Sequence, residues 1–258
     1  MKFNFKKRLG QNFLVDNNVL NKIVLEIEPD ENDFIIEIGA GSGNLTKKLK
    51  EFNSNLLAYE IDEETKQYLL PLENDKTKII YGDFLKRNIK EDLEDISYKN
   101  LYIVANLPYY ITTPIVEKII KENLNPQKML LMVQKEVAER IASKPGSRNY
   151  GYITAYLNYY FNIKKLFDVK KAAFKPSPKV DSAVLEFIKH NKYQCNNEEL
   201  LFQLIKDAFQ FKRKNLNNNL SNYNKELINN ILNKHNLALT SRAEELSIDI
   251  FIEITNSL

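Results

Sequence analysis

Cysteine is nearly missing from this 258-residue chain, in which Cys195 is the only one. That excludes an intramolecular disulfide framework and a cysteine-based structural zinc site. It also fits a reducing compartment, so a cytoplasmic setting is expected. No apolar run approaches the roughly 18 residues needed to cross a bilayer, and the opening MKFNFKKRLGQNFLVDNN lacks the apolar centre of a signal peptide. A soluble, unprocessed protein without a membrane partner is expected. Neither sign of charge dominates: 37 Lys and Arg stand against 34 Asp and Glu, a net charge of +3. Binding to a polyanion would have to come from local basic patches. Glycine is scarce too, with seven residues, yet Gly39, Gly41 and Gly43 fall within five positions.

What is present is an ordinary apolar content of 43%, enough for one sizeable α/β domain and a small appendage. Asp16 is a plausible N-cap, and Val19, Leu20, Ile23, Val24 and Ile27 recur on one helical face before Pro29. DFIIEIGAGSGNLTKKLKEF then reads as strand, glycine-rich turn and helix. Further strands follow in NLLAYEID, KIIYGDFL, NLYIVANLPYY and KMLLMVQ, the last leading into a helical KEVAERI. This alternation predicts a doubly wound, mostly parallel sheet covered on both faces. A later strand over residues 183–188, behind the proline-interrupted AAFKPSPKVDS, is expected at the sheet edge. From about Tyr193 the pattern becomes helical and rich in Asn. The expected division is residues 1–191 as the sheet domain and 192–258 as a small all-helical domain.

The glycines of EIGAGSG sit between strand and helix, where a ligand can approach the backbone closely. The spacing is E-x-G-x-G-x-G, not the G-x-G-x-x-G of a dinucleotide fold, and matches the pattern of S-adenosyl-L-methionine-dependent methyltransferases. Glu60, at the end of the second strand, is positioned to accept from two ribose hydroxyls, although alone it fits a solvated strand end equally well. Asp83, at the end of the third, is positioned to read an adenine amine; alone it also fits a turn. Three successive strand ends converging on one crevice strengthen the site reading.

The fourth strand ends on Asn106-Leu107-Pro108-Tyr109, which resembles the amino-methyltransferase motif in the form of adenine dimethyltransferases acting on ribosomal RNA. An adenine N6 amine is a poor nucleophile until acceptors hold its hydrogens. The Asn106 side-chain oxygen and the Leu107 carbonyl fit that role, Pro108 would fix the backbone, and Tyr109 offers a ring for a flipped-out base. Tyr110 reads as packing.

The likeness extends along the chain. KKRLGQNFLVD, MVQKEVAERI, AAFKPSPKVDSAV, AFQFKRKNLNNNL and SRAEELSIDIF are similar to segments of the bacterial KsgA-type (RsmA) small-subunit ribosomal RNA adenine N6,N6-dimethyltransferases, within the rRNA adenine dimethylase family. The resemblance implies a seven-stranded Rossmann-like class I methyltransferase sheet and S-adenosyl-L-methionine as cofactor. It implies that Asn12 and the Leu14 backbone join Gly39, Gly41, Glu60, Asp83 and Asn106 in holding that cofactor, and that Phe174 closes over the substrate base. Lys6, Lys7 and Arg8, with Lys212, Arg213 and Lys214, would face RNA. No metal site is implied. Lys212 and Asn215 replace the family's usual Arg and Thr, so phosphate attraction survives at 212 but a bidentate contact does not. The implied activity is dimethylation of two adjacent adenosines near the 3′ end of 16S RNA, by a monomer acting on a pre-30S particle. The alternatives are an Erm-type large-subunit enzyme, disfavoured by Leu107 and by RAEELS, and a non-catalytic RNA-binding assembly factor. A nicotinamide-dependent dehydrogenase is disfavoured by the glycine spacing.

Overall fold

The computed structural model describes residues 12–94, 96–107 and 111–258. The helices are α1 (Asn17–Leu25), α2 (Asn44–Leu49), α3 (Lys66–Leu69), α4 (Ile89–Asp92), α5 (Thr112–Lys121), α6 (Lys135–Ile141) and α7 (Tyr152–Tyr160), followed by α8 (Glu198–Ala208), α9 (Leu216–Asn219), α10 (Lys225–Lys234) and α11 (Ile248–Ser257). The strands are β1 (Phe13–Leu14), β2 (Phe34–Ile38), β3 (Asn55–Glu60), β4 (Thr77–Tyr81), β5 (Leu101–Asn106), β6 (Pro126–Gln134), β7 (Phe161–Val169), β8 (Phe174–Lys175) and β9 (Ser182–Lys189).

Seven strands form one sheet in the order β4-β3-β2-β5-β6-β9-β7. The pairs β4–β3, β3–β2, β2–β5 and β5–β6 are parallel, and β9 runs antiparallel to β6. All five residues of β2 are buried, as expected of a central strand covered on both faces. On one face, α1 packs Leu20, Ile23 and Val24 against Ile35, Tyr102 and Val104; Asp16 caps that helix by accepting from the amides of Asn18 and Val19. Because β2 has β3 on one side and β5 on the other, the connections diverge there, leaving a crevice at the strands' C-terminal ends.

Two expectations are corrected. The strand after the proline loop, β9, is not at the edge: it lies between β6 and β7. The outermost strand on that side is β7, whose sequence FNIKKLFDV carries Lys164, Lys165 and Asp168 and is largely half-exposed. Charged residues on an edge deter pairing with other chains, and they also hide the strand from a search for apolar runs. The division of the chain is likewise not the single cut expected at 191/192. One compact unit comprises residues 1–138 and 164–189; the other comprises Glu139–Ile163 with His190–Leu258. The Tyr-rich α7 belongs to the second unit because Ala155 and Tyr159 bury into a core with Leu201, Leu204 and Phe251. Among the described residues, no helix is long and apolar enough to cross a membrane.

Candidate active site

After β2 the backbone turns through Gly39 at φ +83° and Gly41 at φ +57°. A β-carbon at Gly39 would lie 3.3 Å from the Asn106 carbonyl oxygen, and one at Gly41 would lie 2.8 Å from the Phe13 ring. Left-handed backbone and close approach both call for glycine here. Gly43 answers a packing need, since a β-carbon there would meet Leu72 at 2.7 Å.

Glu60, the last residue of β3, fastens this turn. Its Oε2 accepts from the Gly41 amide at 2.7 Å and its Oε1 from the Asp62 amide at 2.8 Å. Each carboxylate oxygen retains a further acceptor position. Burial raises the Glu60 pKa above the ordinary value, with the two amides opposing and the Asp62 charge assisting. Asp83 caps the short turn after β4, its Oδ1 accepting from the Leu85 amide at 3.0 Å. Tyr59 meets Phe84 edge to face at 5.1 Å and donates to Asp92 at 2.9 Å, steadying the wall between these two acids.

Asn106 ends β5. Its Nδ2 donates to the Asn12 carbonyl at 3.3 Å. A carbonyl only accepts, so the amide nitrogen must face it and Oδ1 is left as an acceptor. Asn12 precedes β1, which pairs antiparallel with β8 in the register Leu14↔Phe174. This clip brings Phe174, otherwise distant in sequence, to the crevice.

Asn12, Gly39, Gly41, Glu60, Asp83, Asn106, Leu107 and Phe174 all line one crevice of about 840 Å³, counting its solvent-open mouth, with Ile38, Ile61, Phe84 and Ile115 among its apolar walls. Leu14 lines a smaller adjoining cavity with Glu37, Asn44 and Asn106, and its carbonyl accepts from Asn44 Nδ2 at 2.8 Å. Phe174 is almost wholly buried and belongs to the sheet core as well as to the crevice wall. Pro108 and Tyr109, and the basic Lys6, Lys7 and Arg8, lie outside the described residues. Lys212, Arg213 and Lys214 are exposed on the second unit, between α8 and α9. No group of three or more His, Cys, Asp or Glu side chains able to hold a metal occurs among the described residues.

A family model for ribosomal RNA adenine dimethylase matches residues 2–258. The chain belongs to the ribosomal RNA adenine dimethylase family. It is 39% identical over 272 residues to Ribosomal RNA small subunit methyltransferase A of Bacillus cytotoxicus, and 38% identical over 273 residues to that of Bacillus cereus. Each alignment covers 99% of this chain and 92% of the relative. In fold it resembles a dimethyladenosine transferase from Plasmodium falciparum, with TM-score 0.77, 24% identity and coverage of 94% of this chain and 95% of that one. It also resembles the 23S rRNA methyltransferase ErmE, with TM-score 0.75, 20% identity and coverage of 96% and 99%.

In this dimethylase Glu37, the first residue of the E-x-G-x-G-x-G pattern, has no role assigned from the sequence. Its side chain is 1% exposed in the centre of the sheet, and its Oε2 has no hydrogen-bond partner among the described residues. Burial first, then the neighbouring Glu60 charge, push its pKa up to about 7, against the opposing influence of nearby Thr46. Neither Glu37 Oε2 nor Thr46 Oγ1 completes a hydrogen bond by geometry. The visible signal was an acid inside the otherwise apolar FIIEI. Phe13 and Asn44 carried no comparable signal, because their roles depend on the β1–β8 clip and on a contact across 30 residues.

Proposed function

We propose that this dimethylase transfers methyl groups from S-adenosyl-L-methionine to N6 of two adjacent adenosines near the 3′ end of small-subunit ribosomal RNA, giving two N6,N6-dimethyladenosines. The observation that carries the reading is the convergence of Gly39, Glu60, Asp83 and Asn106, from four neighbouring strand ends, on one crevice. The small-subunit substrate is favoured by relatives at 38–39% identity named for that subunit.

The crevice fits the cofactor in three respects. Gly39 and Gly41 leave a cradle that β-carbons would fill. Glu60 keeps acceptor positions for ribose hydroxyls, and Asp83 an oxygen for the adenine amine. Glu37, buried and with an unpaired oxygen beside the adjoining cavity, is an acceptor for the ammonium of the methionyl end. When bound, the sulfonium supplies an activated methyl group. The chain's task is then alignment and polarisation. Asn106 Oδ1 and the Leu107 carbonyl hold the N6 hydrogens, so that the nitrogen lone pair is less delocalised and aims at the methyl carbon. Pro108 fixes that backbone, and Tyr109 and Phe174 hold the base between rings. The basic residues at 6–8 and 212–214 bind RNA phosphates. The protein acts as a monomer in the cytoplasm, on a partly assembled small subunit.

The test is methylation of immature small and large ribosomal subunits with labelled S-adenosyl-L-methionine, followed by mass spectrometry of the RNA. Dimethyladenosine confined to small-subunit RNA is expected. Label confined to large-subunit RNA would overturn the substrate, and no label in either would overturn the activity.

A further inference from the structure

The geometry points to Phe211 as a stacking platform for an unpaired nucleobase of bound RNA, set among the cations that hold the flanking phosphates; this rests on the RNA substrate proposed above. Phe211 is 57% exposed and is the only exposed phenylalanine among the described residues. A single exposed apolar side chain is unremarkable by itself. What distinguishes this one is its setting. Lys212, Arg213 and Lys214 follow it directly, all exposed, and none makes an ion pair among the described residues. Asp207, the closest acid in sequence, is already engaged by the Tyr223 hydroxyl at 2.7 Å and by Gln203 at 2.8 Å.

The turn that presents Phe211 is fastened from both sides. Phe209, two residues earlier, packs inward against Tyr150 and Phe251. The buried Asn219 donates its amide to the Ala208 carbonyl at 2.6 Å and to the Phe211 carbonyl at 3.3 Å. The Lys214 amide donates to the Phe211 carbonyl at 2.8 Å. With the backbone of the turn fixed, only the rotamer of the exposed ring is left to be ordered on binding. Cations flanking an exposed ring suit a polyanion that carries flat bases, because phosphates meet the charges while a base covers the ring. An apolar protein surface would leave the three charges desolvated and unpaired.

The chain contains no tryptophan, so Phe211→Trp places a single indole reporter at this position. The full chain is titrated with short single-stranded oligoadenylate, with affinity read from the anisotropy of a labelled strand, and separately with inorganic polyphosphate, which has charge but no bases. Oligoadenylate is expected to quench the Phe211→Trp emission and polyphosphate is not. Phe211→Ala is expected to weaken oligoadenylate binding on the order of ten-fold and to leave polyphosphate binding unchanged. Reversing the three charges in K212E/R213E/K214E is expected to weaken both. Unchanged emission at saturating RNA, or a Phe211→Ala chain that binds oligoadenylate as tightly as the wild type, would overturn the inference, as would no measurable oligoadenylate binding by the wild type. Quenching by RNA in a protein that leaves both ribosomal RNAs unmethylated would sustain the platform and sink the proposed reaction.

Discussion

Replacing Glu37 by Gln should favour the empty protein, measured against wild type, by more at pH 8 than at pH 5. In the fold this carboxyl titrates near 7, against an ordinary 4.5, because burial disfavours its charged form. The folded state therefore holds a proton that the unfolded chain has released across the interval between those values, and stability must fall as pH rises through it. At about 1.4 kcal/mol per pH unit, the full difference comes to about 3 kcal/mol above pH 7. At pH 5 less than about 1 kcal/mol of it has been incurred. Gln has nearly the same shape and never ionises, so the variant escapes this loss. Its buried amide brings its own hydrogen-bonding needs, but these are the same at both pH values.

The quantity to measure is thus the stability difference between Glu37→Gln and wild type at pH 8, minus that difference at pH 5. Urea unfolding followed by circular dichroism should give about 2 to 3 kcal/mol in favour of the variant. The raised Glu60 pKa tilts both proteins in the same direction and largely cancels. A difference that is the same at both pH values, or that favours the wild type more at pH 8, would refute the assignment of a proton to Glu37 in the empty protein.

Gly41→Ala should destabilise the protein by about 1 to 2 kcal/mol from left-handed backbone strain, and should weaken cofactor binding further because its β-carbon must displace the Phe13 ring, 2.8 Å away in the crevice wall. Calorimetric titration with S-adenosyl-L-methionine checks this, and unaltered affinity would count against the cradle. Asn106→Ala should lower kcat on the order of a hundred-fold, the scale for loss of a preorganised transition-state hydrogen bond, while retaining RNA binding. Single-turnover methyl transfer within a few-fold of wild type would remove Asn106 from the chemistry.

Legibility of this chain followed burial. The inner strands β2, β3, β5 and β6 are apolar runs closed by Gly, Glu, Asn or Gln, so these strands and, with β4, four site-bearing ends could be read directly from the sequence. The β1–β8 clip could not: two strands of two residues each leave no periodicity, and only the likeness to known segments drew attention to Asn12, Leu14 and Phe174. β7 escaped for the opposite reason. Its exposed Asn162, Lys164 and Asp168 break the apolar run by which the inner strands are recognised, because they serve an edge, where solubility outranks β-propensity. That explanation has its own consequence. Asn162→Val with Lys164→Val would make β7 a better strand by propensity, yet it should drive self-association, because a flatter, more apolar edge can pair with a second copy. Sedimentation velocity should show oligomers growing with concentration in the double variant and not in the wild type. A variant that stays monomeric at high concentration would mean that Asn162 and Lys164 do not guard the edge.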